Sequence, residues 1–92
     1  MSATLIVRHP VQDYTAWRAV YDGPEVAALH QKYGVSNARV AHRPQDDRDV
    51  LVTHDFASVS DAEGFAADPG LKTAMEASGV TGAPRIEIFE LV

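Results

Sequence analysis

Residues 34–56, GVSNARVAHRPQDDRDVLVTHDF, predict a β-hairpin at the centre of the chain. Residues 35–42 and residues 50–56 are rich in apolar and β-branched side chains, which are typical of strands. The polar run between them, residues 43–49, contains a proline and has the length of a hairpin loop. Successive side chains of a strand alternate between its two faces, so His54 shares one face of the second strand with valine and phenylalanine neighbours.

A strand and two helical segments are predicted before this hairpin. Residues 3–9 form the strand, which Pro10 ends because proline has no amide donor. Asp13 is a suitable N-cap for the first helical segment. A second segment begins near Pro24, and Gly34 fits the left-handed position that ends many helices.

The same order of elements is predicted after the hairpin. Ser60 and Glu63 have the spacing of a capping box, which marks the start of a helix. Asp68-Pro69-Gly70 interrupts that helix, and its apolar stripe continues to Gly79. Residues 85–92 form a final strand, with Ile86 and Ile88 on one face and Phe89 and Leu91 on the other.

This repeated strand–helix–strand order predicts one domain over residues 1–92. Crossover connections between parallel strands are right-handed. Applied twice, that rule gives an α+β, ferredoxin-like βαββαβ fold. Its four-stranded antiparallel sheet has the order 4-1-3-2, and both helical units cover one face.

The uncovered face of the sheet predicts a homodimer. A face open to water is expected to be mostly polar. The first and last strands are instead apolar on both sides, and the third carries only Asp55 as a clear charge. We expect a second copy to pack against this face, since two-fold dimers are the commonest soluble assemblies. The alternative is a monomer with a few exposed apolar residues.

Composition excludes several classes of function. The formal charge of −5 argues against nucleic acid and anionic membranes as partners, because both favour clustered Lys and Arg. The absence of cysteine excludes disulfides and thiolate nucleophiles. No apolar run has the length of a membrane span, and no signal-peptide pattern is visible, so we expect a cytoplasmic protein.

Several stretches resemble the dimeric α+β barrel superfamily. They are ATLIVRHPV at residues 3–11, DYTAW at residues 13–17, the hairpin at residues 34–56, and DAEGFAADPGLKTAMEASGV at residues 61–80. The resemblance is nearest to the antibiotic-biosynthesis-monooxygenase-like branch and to small cyclase-like proteins. It implies a homodimer with a small-molecule pocket between helices and sheet in each subunit. That superfamily includes cofactor-free oxygenases, cyclases, haem-degrading enzymes and isomerases, so the resemblance does not imply one reaction.

Two histidines are the candidate catalytic groups. His54 lies on a predicted central strand, where an apolar cavity lowers the pKa of an imidazole and keeps it neutral as a proton acceptor. His30 lies on the apolar stripe of the second helical segment. The alternative is that both pack in the core or at a helix end. His9 and His42 are predicted at exposed strand ends, and the spacing of the histidines matches no compact metal motif, so we expect no metal site.

The predicted substrate-binding residues are aromatic. All of them have apolar faces, which suit the wall of a pocket for a planar ligand. Three of them, Trp17, Tyr21 and Tyr33, also have polar tips that need partners when buried. The alternative is that these side chains are ordinary core. They are Trp17, Tyr21, Tyr33, Phe56 and Phe65.

Arg8 is the third candidate catalytic residue. A guanidinium on a central strand needs a partner when buried. It either stabilises an anion in the pocket or pairs with Asp55 on the neighbouring strand.

Two functions remain open from the sequence. The first is a small cofactor-independent enzyme, of cyclase or monooxygenase type, acting on an aromatic or polyketide-like molecule. The second is a non-catalytic dimer that binds a small molecule or acts as an accessory protein. No phosphate-binding loop or other cofactor motif is visible. The enzyme hypothesis requires a cavity of roughly a few hundred Å³ beside His54, whereas a filled core there would contradict it.

Overall fold

The computed structural model describes residues 2–92, in which eight elements follow the predicted order. The first half contains one strand, two short helices and the first arm of the hairpin. The second half repeats this layout. The elements are β1 (Ala3–Pro10), α1 (Tyr14–Tyr21), α2 (Pro24–Tyr33), β2 (Ser36–Arg43), β3 (Asp46–Phe56), α3 (Val59–Ala67), α4 (Pro69–Ala77) and β4 (Arg85–Glu90).

The four strands form one antiparallel sheet in the order β2-β3-β1-β4, which confirms the predicted topology. β1 and β3 are therefore central. Their register places Leu5 opposite His54, Val7 opposite Val52, and His9 opposite Val50. These residues face the helices.

The hairpin is longer than predicted. β3 begins at Asp46, so the expected loop over residues 43–49 is wrong and the reversal occupies only Pro44 and Gln45. Charge pairing explains the difference, because Asp49 accepts hydrogen bonds from Arg8 on β1 and Arg43 on β2. The polar residues at the start of β3 can therefore continue the strand, because this end of it is exposed to water.

Most helix ends follow the predicted chemistry, with one correction. Asp13 caps α1 by accepting a hydrogen bond from the Ala16 amide at 3.0 Å. Gly34 ends α2 with φ 67°, in the left-handed region. The capping box at Ser60 is wrong, because Ser58 has the extended backbone of an N-cap and accepts from the Asp61 amide at 3.1 Å.

The core is a single layer between the helices and one face of the sheet. Alternate residues of the two central strands supply its floor, and the helices supply its roof. Its largest fully buried side chains are Phe56, Phe65, Leu5 and Val50. The other face of the sheet is covered by no helix and exposes Leu51 and Phe89.

β4 ends at Glu90, two residues before the predicted end of the strand, and Leu91 and Val92 are exposed beyond it. Among the described residues, no helix is long and apolar enough to cross a membrane.

Candidate active site

A small apolar cavity lies between the sheet and the four helices, beside His54. The volume of its interior is about 50 Å³, and about 440 Å³ is free of protein atoms when the open mouth is included. The cavity is therefore neither a filled core nor a closed chamber of a few hundred Å³. Its lining is Val7, His9, Trp17, Val20, Tyr21, Val26, His30, Val52, His54, Phe65, Leu71, Ala74, Met75 and Ser78.

His54 lies on the floor of this cavity, on β3. Its side chain is 3 % exposed, and its Nε2 atom is 2.8 Å from the Tyr21 hydroxyl on α1. Burial, together with the neighbouring His30, lowers the pKa of His54 to about 4. The imidazole is therefore neutral at physiological pH and can accept a proton.

His30 reaches the same point from α2. Its ring meets the His54 ring edge-on, with the centroids 4.6 Å apart. Burial lowers the pKa of His30, so the imidazole is held neutral despite its place near a helix C-terminus. The Nε2 atom of His30 and the Nδ1 atom of His54 are both buried without a hydrogen-bond partner among the described residues.

His9 corrects a prediction. It was expected to be solvated at a strand end, but it is 3 % exposed and lines the cavity. β1 continues through Pro10, so His9 follows Leu5 and Val7 on the inner face. The alternation of side chains along β1 is the sequence feature that could have predicted the burial of His9. His42 is exposed, as predicted.

Three of the five predicted substrate-binding aromatics line the cavity. Trp17 and Tyr21 stack at a centroid distance of 5.1 Å, and Phe65 meets the His54 ring edge-on at 5.4 Å. Phe56 packs behind Phe65 in the core. Tyr33 is also outside the lining, because its hydroxyl donates to Asp68 at 2.6 Å.

Arg8 lies on the opposite face of the sheet and is not brought to this cavity. Its Nε and Nη2 atoms donate to Asp49 at 3.0 and 2.8 Å, on a partly exposed surface. The expected pairing with Asp55 is wrong, because Asp55 lies opposite Thr4 and accepts from Asn37. Even-numbered residues of β1 face away from the helices, and the register with β3 therefore puts Arg8 and His54 on opposite faces of the sheet.

The cavity holds proton acceptors and hydroxyls but no carboxylate. Across residues 2–92, no group of three or more His, Cys, Asp or Glu side chains has the geometry to hold a metal ion. The arrangement can take a proton from a bound molecule and orient that molecule against flat aromatic walls.

Comparison with known proteins identifies the fold. No protein-family model matches the sequence, and no curated protein matches it significantly. A variant of SnoaB, a cofactor-independent oxygenase from Streptomyces nogalater, is similar in structure, with 14% identity and a TM-score of 0.77 over 98% of this chain and 92% of that one.

Two further solved structures share this architecture. The monooxygenase from the gene ActVA-Orf6 of Streptomyces coelicolor, in complex with the ligand Nanaomycin D, is 19% identical with a TM-score of 0.71, over 99% of this chain and 88% of that one. A dimeric protein of unknown function and ferredoxin-like fold from Bacteroides fragilis is 14% identical with a TM-score of 0.68, over 98% and 96%. These likenesses confirm the ferredoxin-like fold expected from the resemblance to antibiotic-biosynthesis monooxygenases.

Proposed function

We propose that this protein is a small cofactor-independent enzyme of monooxygenase type that acts on an aromatic, polyketide-like molecule. The observation that carries the proposal is the neutral His54 imidazole, hydrogen-bonded to Tyr21 at the edge of an apolar cavity. General-base catalysis needs an unprotonated group within reach of the substrate. The low pKa of His54 keeps its imidazole unprotonated across the physiological range.

In the first step of the proposed reaction, His54 takes a proton from an acidic carbon of the substrate. The carbanion that remains is delocalised over the aromatic system. The carbanion reduces O₂ and forms a carbon-bound peroxide anion, to which the protonated His54 returns the proton to give a hydroperoxide. Loss of the second proton from the same carbon, together with cleavage of the O–O bond, releases one water and leaves a ketone, so the substrate supplies all the electrons.

Tyr21 is the positioning residue in this scheme. Its hydroxyl bonds to one ring nitrogen of His54 and thereby orients the imidazole. Burial raises the pKa of Tyr21, so the phenol stays neutral. For His54 to act as a base, its Nε2–H donates to the Tyr21 oxygen, and the Nδ1 atom, which has no partner among the described residues, accepts the proton. The His30 ring contacts the His54 ring edge-on and disfavours a positive charge on His54.

Likeness in fold supports the choice of substrate class. SnoaB is described as a cofactor-independent oxygenase, and the Streptomyces coelicolor monooxygenase was crystallised with Nanaomycin D. The stacked Trp17 and Tyr21 rings offer a flat apolar wall that suits fused aromatic rings. The same base would also serve a cyclase, by forming an enolate.

The small size of the cavity favours a second candidate, a non-catalytic binding or accessory protein. A volume of about 50 Å³ has room for a few water molecules only. An aromatic substrate therefore requires the helices to move away from the sheet. The enzyme proposal includes that opening, whereas an accessory role does not need it.

We propose further that the protein is a cytoplasmic homodimer. Support for the dimer comes from the exposed Leu51 and Phe89 on the uncovered sheet face and from the dimeric Bacteroides fragilis protein of similar fold. The absence of cysteine is compatible with a reducing compartment.

Oxygen uptake with anthrone tests the proposal, because anthrone has an acidic carbon between aromatic rings. We expect one O₂ consumed per anthrone oxidised, with anthraquinone as the product. His54→Gln should lower kcat about 100-fold or more, since general bases contribute at least that much. His42→Gln replaces an exposed histidine and should leave the rate unchanged. Equal rates for wild type and His54→Gln would remove His54 from its role.

A further inference from the structure

His9 is a buried polar group that the proposed reaction does not use. It is 3 % exposed, and neither ring nitrogen has a hydrogen-bond partner among the described residues. A buried donor or acceptor left without a partner costs free energy. A group in this state inside a cavity therefore marks a place where a ligand or water completes the hydrogen bonds.

The sheet register places His9 at the other end of the cavity floor from His54. His9 lies opposite Val50, which is four residues from His54 along β3. At the rise of an extended strand, this offsets the backbones of the two histidines by about 13 Å along the strands. Between the two histidines, the paired Val7 and Val52 form an apolar floor. Both valines and both histidines line the cavity.

One aromatic wall connects the two ends. The Trp17 ring is 5.7 Å from the His9 ring and 5.1 Å from the Tyr21 ring, centroid to centroid. Tyr21 in turn bonds to His54. The apolar floor of the cavity thus has an imidazole at each end, and the same opening of the helices that the proposed function requires would admit a planar ligand between them.

We infer that His9 is a second polar anchor of this cavity, which selects planar aromatic ligands that carry oxygen atoms at both ends. The inference rests on the proposed function for the site itself. Across a separation of about 13 Å, one hydrogen bond of about 2.8 Å at each end leaves roughly 7 Å between the two ligand oxygens. Fused two-ring molecules with oxygens on opposite ends have about this span.

The competing explanation is that water satisfies His9. His9 also borders an open polar cleft, whose lining includes Arg48, Asp49 and Thr81. Water entering from that side would satisfy the imidazole without any role in ligand selection. A pair of ligands that differ by one hydroxyl distinguishes the two explanations.

The test measures binding of 2,6-dihydroxynaphthalene and 2-naphthol by calorimetry, so it does not depend on turnover. We expect the diol to bind wild type about fivefold tighter than 2-naphthol, which is what one added hydrogen bond contributes. His9→Leu should abolish this preference and leave the affinity for 2-naphthol within about twofold of wild type. His42→Leu is the matched control and should keep the preference.

A measurement on wild type keeps the inference testable if His9→Leu fails to fold. The diol should shift the imidazole NMR signals of His9, whereas 2-naphthol should shift those of His54 and of Trp17, the single tryptophan. A preference that survives in His9→Leu, or His9 signals that the diol leaves unmoved, would overturn the inference. Failure of either probe to bind would overturn it too, whereas the proposed reaction is decided separately by oxygen uptake.

Discussion

At the scale of single residues, the protein keeps three imidazoles neutral inside one apolar layer. His9, His30 and His54 all have a pKa below the ordinary value of 6.5, chiefly because burial disfavours the charged form. No carboxylate lines their cavity to offset that effect. The histidines therefore stay unprotonated near neutral pH, and the lowered pKa also makes each of them a weaker base than a free imidazole.

This arrangement predicts a loss of stability in mild acid. The pKa of His54 falls from 6.5 to about 4 on folding. As the pH falls below about 6.5, His54 therefore becomes protonated in the unfolded chain but stays unprotonated in the folded chain. Above that pH, His54 does not reduce the free energy of unfolding. Between pH 6.5 and pH 4 the free energy of unfolding falls progressively, by up to about 3 kcal/mol from this one group.

Urea unfolding at pH 7 and pH 5 tests this prediction. The free energy of unfolding should fall less between these two pH values in His54→Gln than in wild type. His9 and His30 should leave some of the slope in the variant. The exposed His42 provides the control, since His42→Gln should keep the wild-type slope. Superimposable profiles for wild type and His54→Gln would contradict the assignment of this effect to His54.

At the scale of elements, Asp68 connects two helices of the roof. One carboxylate oxygen accepts from the Gly70 amide at 2.7 Å and caps α4. The other accepts from the Tyr33 hydroxyl and the Lys32 ammonium at the end of α2. Gly64 of α3 lets this Tyr33 ring approach closely, because a Cβ atom there would lie 2.9 Å from the ring.

Asp68→Ala should therefore loosen the roof of the cavity. Loss of the cap predicts a fall in Tm of about 4–8 °C. Asp68→Asn keeps an oxygen that can accept from Gly70, so it should recover part of the loss. Asp47→Ala, in the exposed hairpin, is the control and should leave Tm unchanged. A Tm for Asp68→Ala equal to that of wild type would show that Asp68 does not hold the helices together.

Alternation and helix periodicity predicted the order of the elements, the order of the strands and the shared face of His54, Val52 and Phe56. The pattern could not reveal which face the helices cover, because register is weakly specified where both faces are apolar. The expected loop over residues 43–49 was wrong because Asp46 and Asp49 have the composition of a loop, while one partner of Asp49, Arg8, lies on another strand and far away in the sequence. Tyr33 left the predicted site because Asp68, thirty-five residues away, holds its hydroxyl.

At the scale of the whole molecule, the two faces of the sheet differ in what they contact. The inner face packs against four helices and holds the cavity. The outer face has exposed apolar side chains, Leu51 at 37% and Phe89 at 51% exposure, together with the ion pair between Arg8 and Asp49. Apolar groups bordered by charges are typical of a protein–protein contact.

Leu51→Glu tests whether this outer face forms the proposed homodimer. We expect wild type to have the mass of two chains in light scattering. Leu51→Glu should have the mass of one chain, because a carboxylate would be buried without a partner. Ala77→Glu adds the same charge on the exposed side of α4 and should leave the dimer intact. A monomeric wild type, or a dimeric Leu51→Glu, would contradict the proposal.

The central claim is that the cavity beside His54 opens to receive an aromatic ligand. The most direct measurement is a crystal structure of the protein with 2-naphthol bound. We predict that the naphthalene ring lies against Trp17 and Tyr21, with its hydroxyl within hydrogen-bonding distance of His54 and the helices further from the sheet. Naphthol bound only outside this cavity, with Trp17, Tyr21 and His54 closed around the same 50 Å³, would contradict the claim.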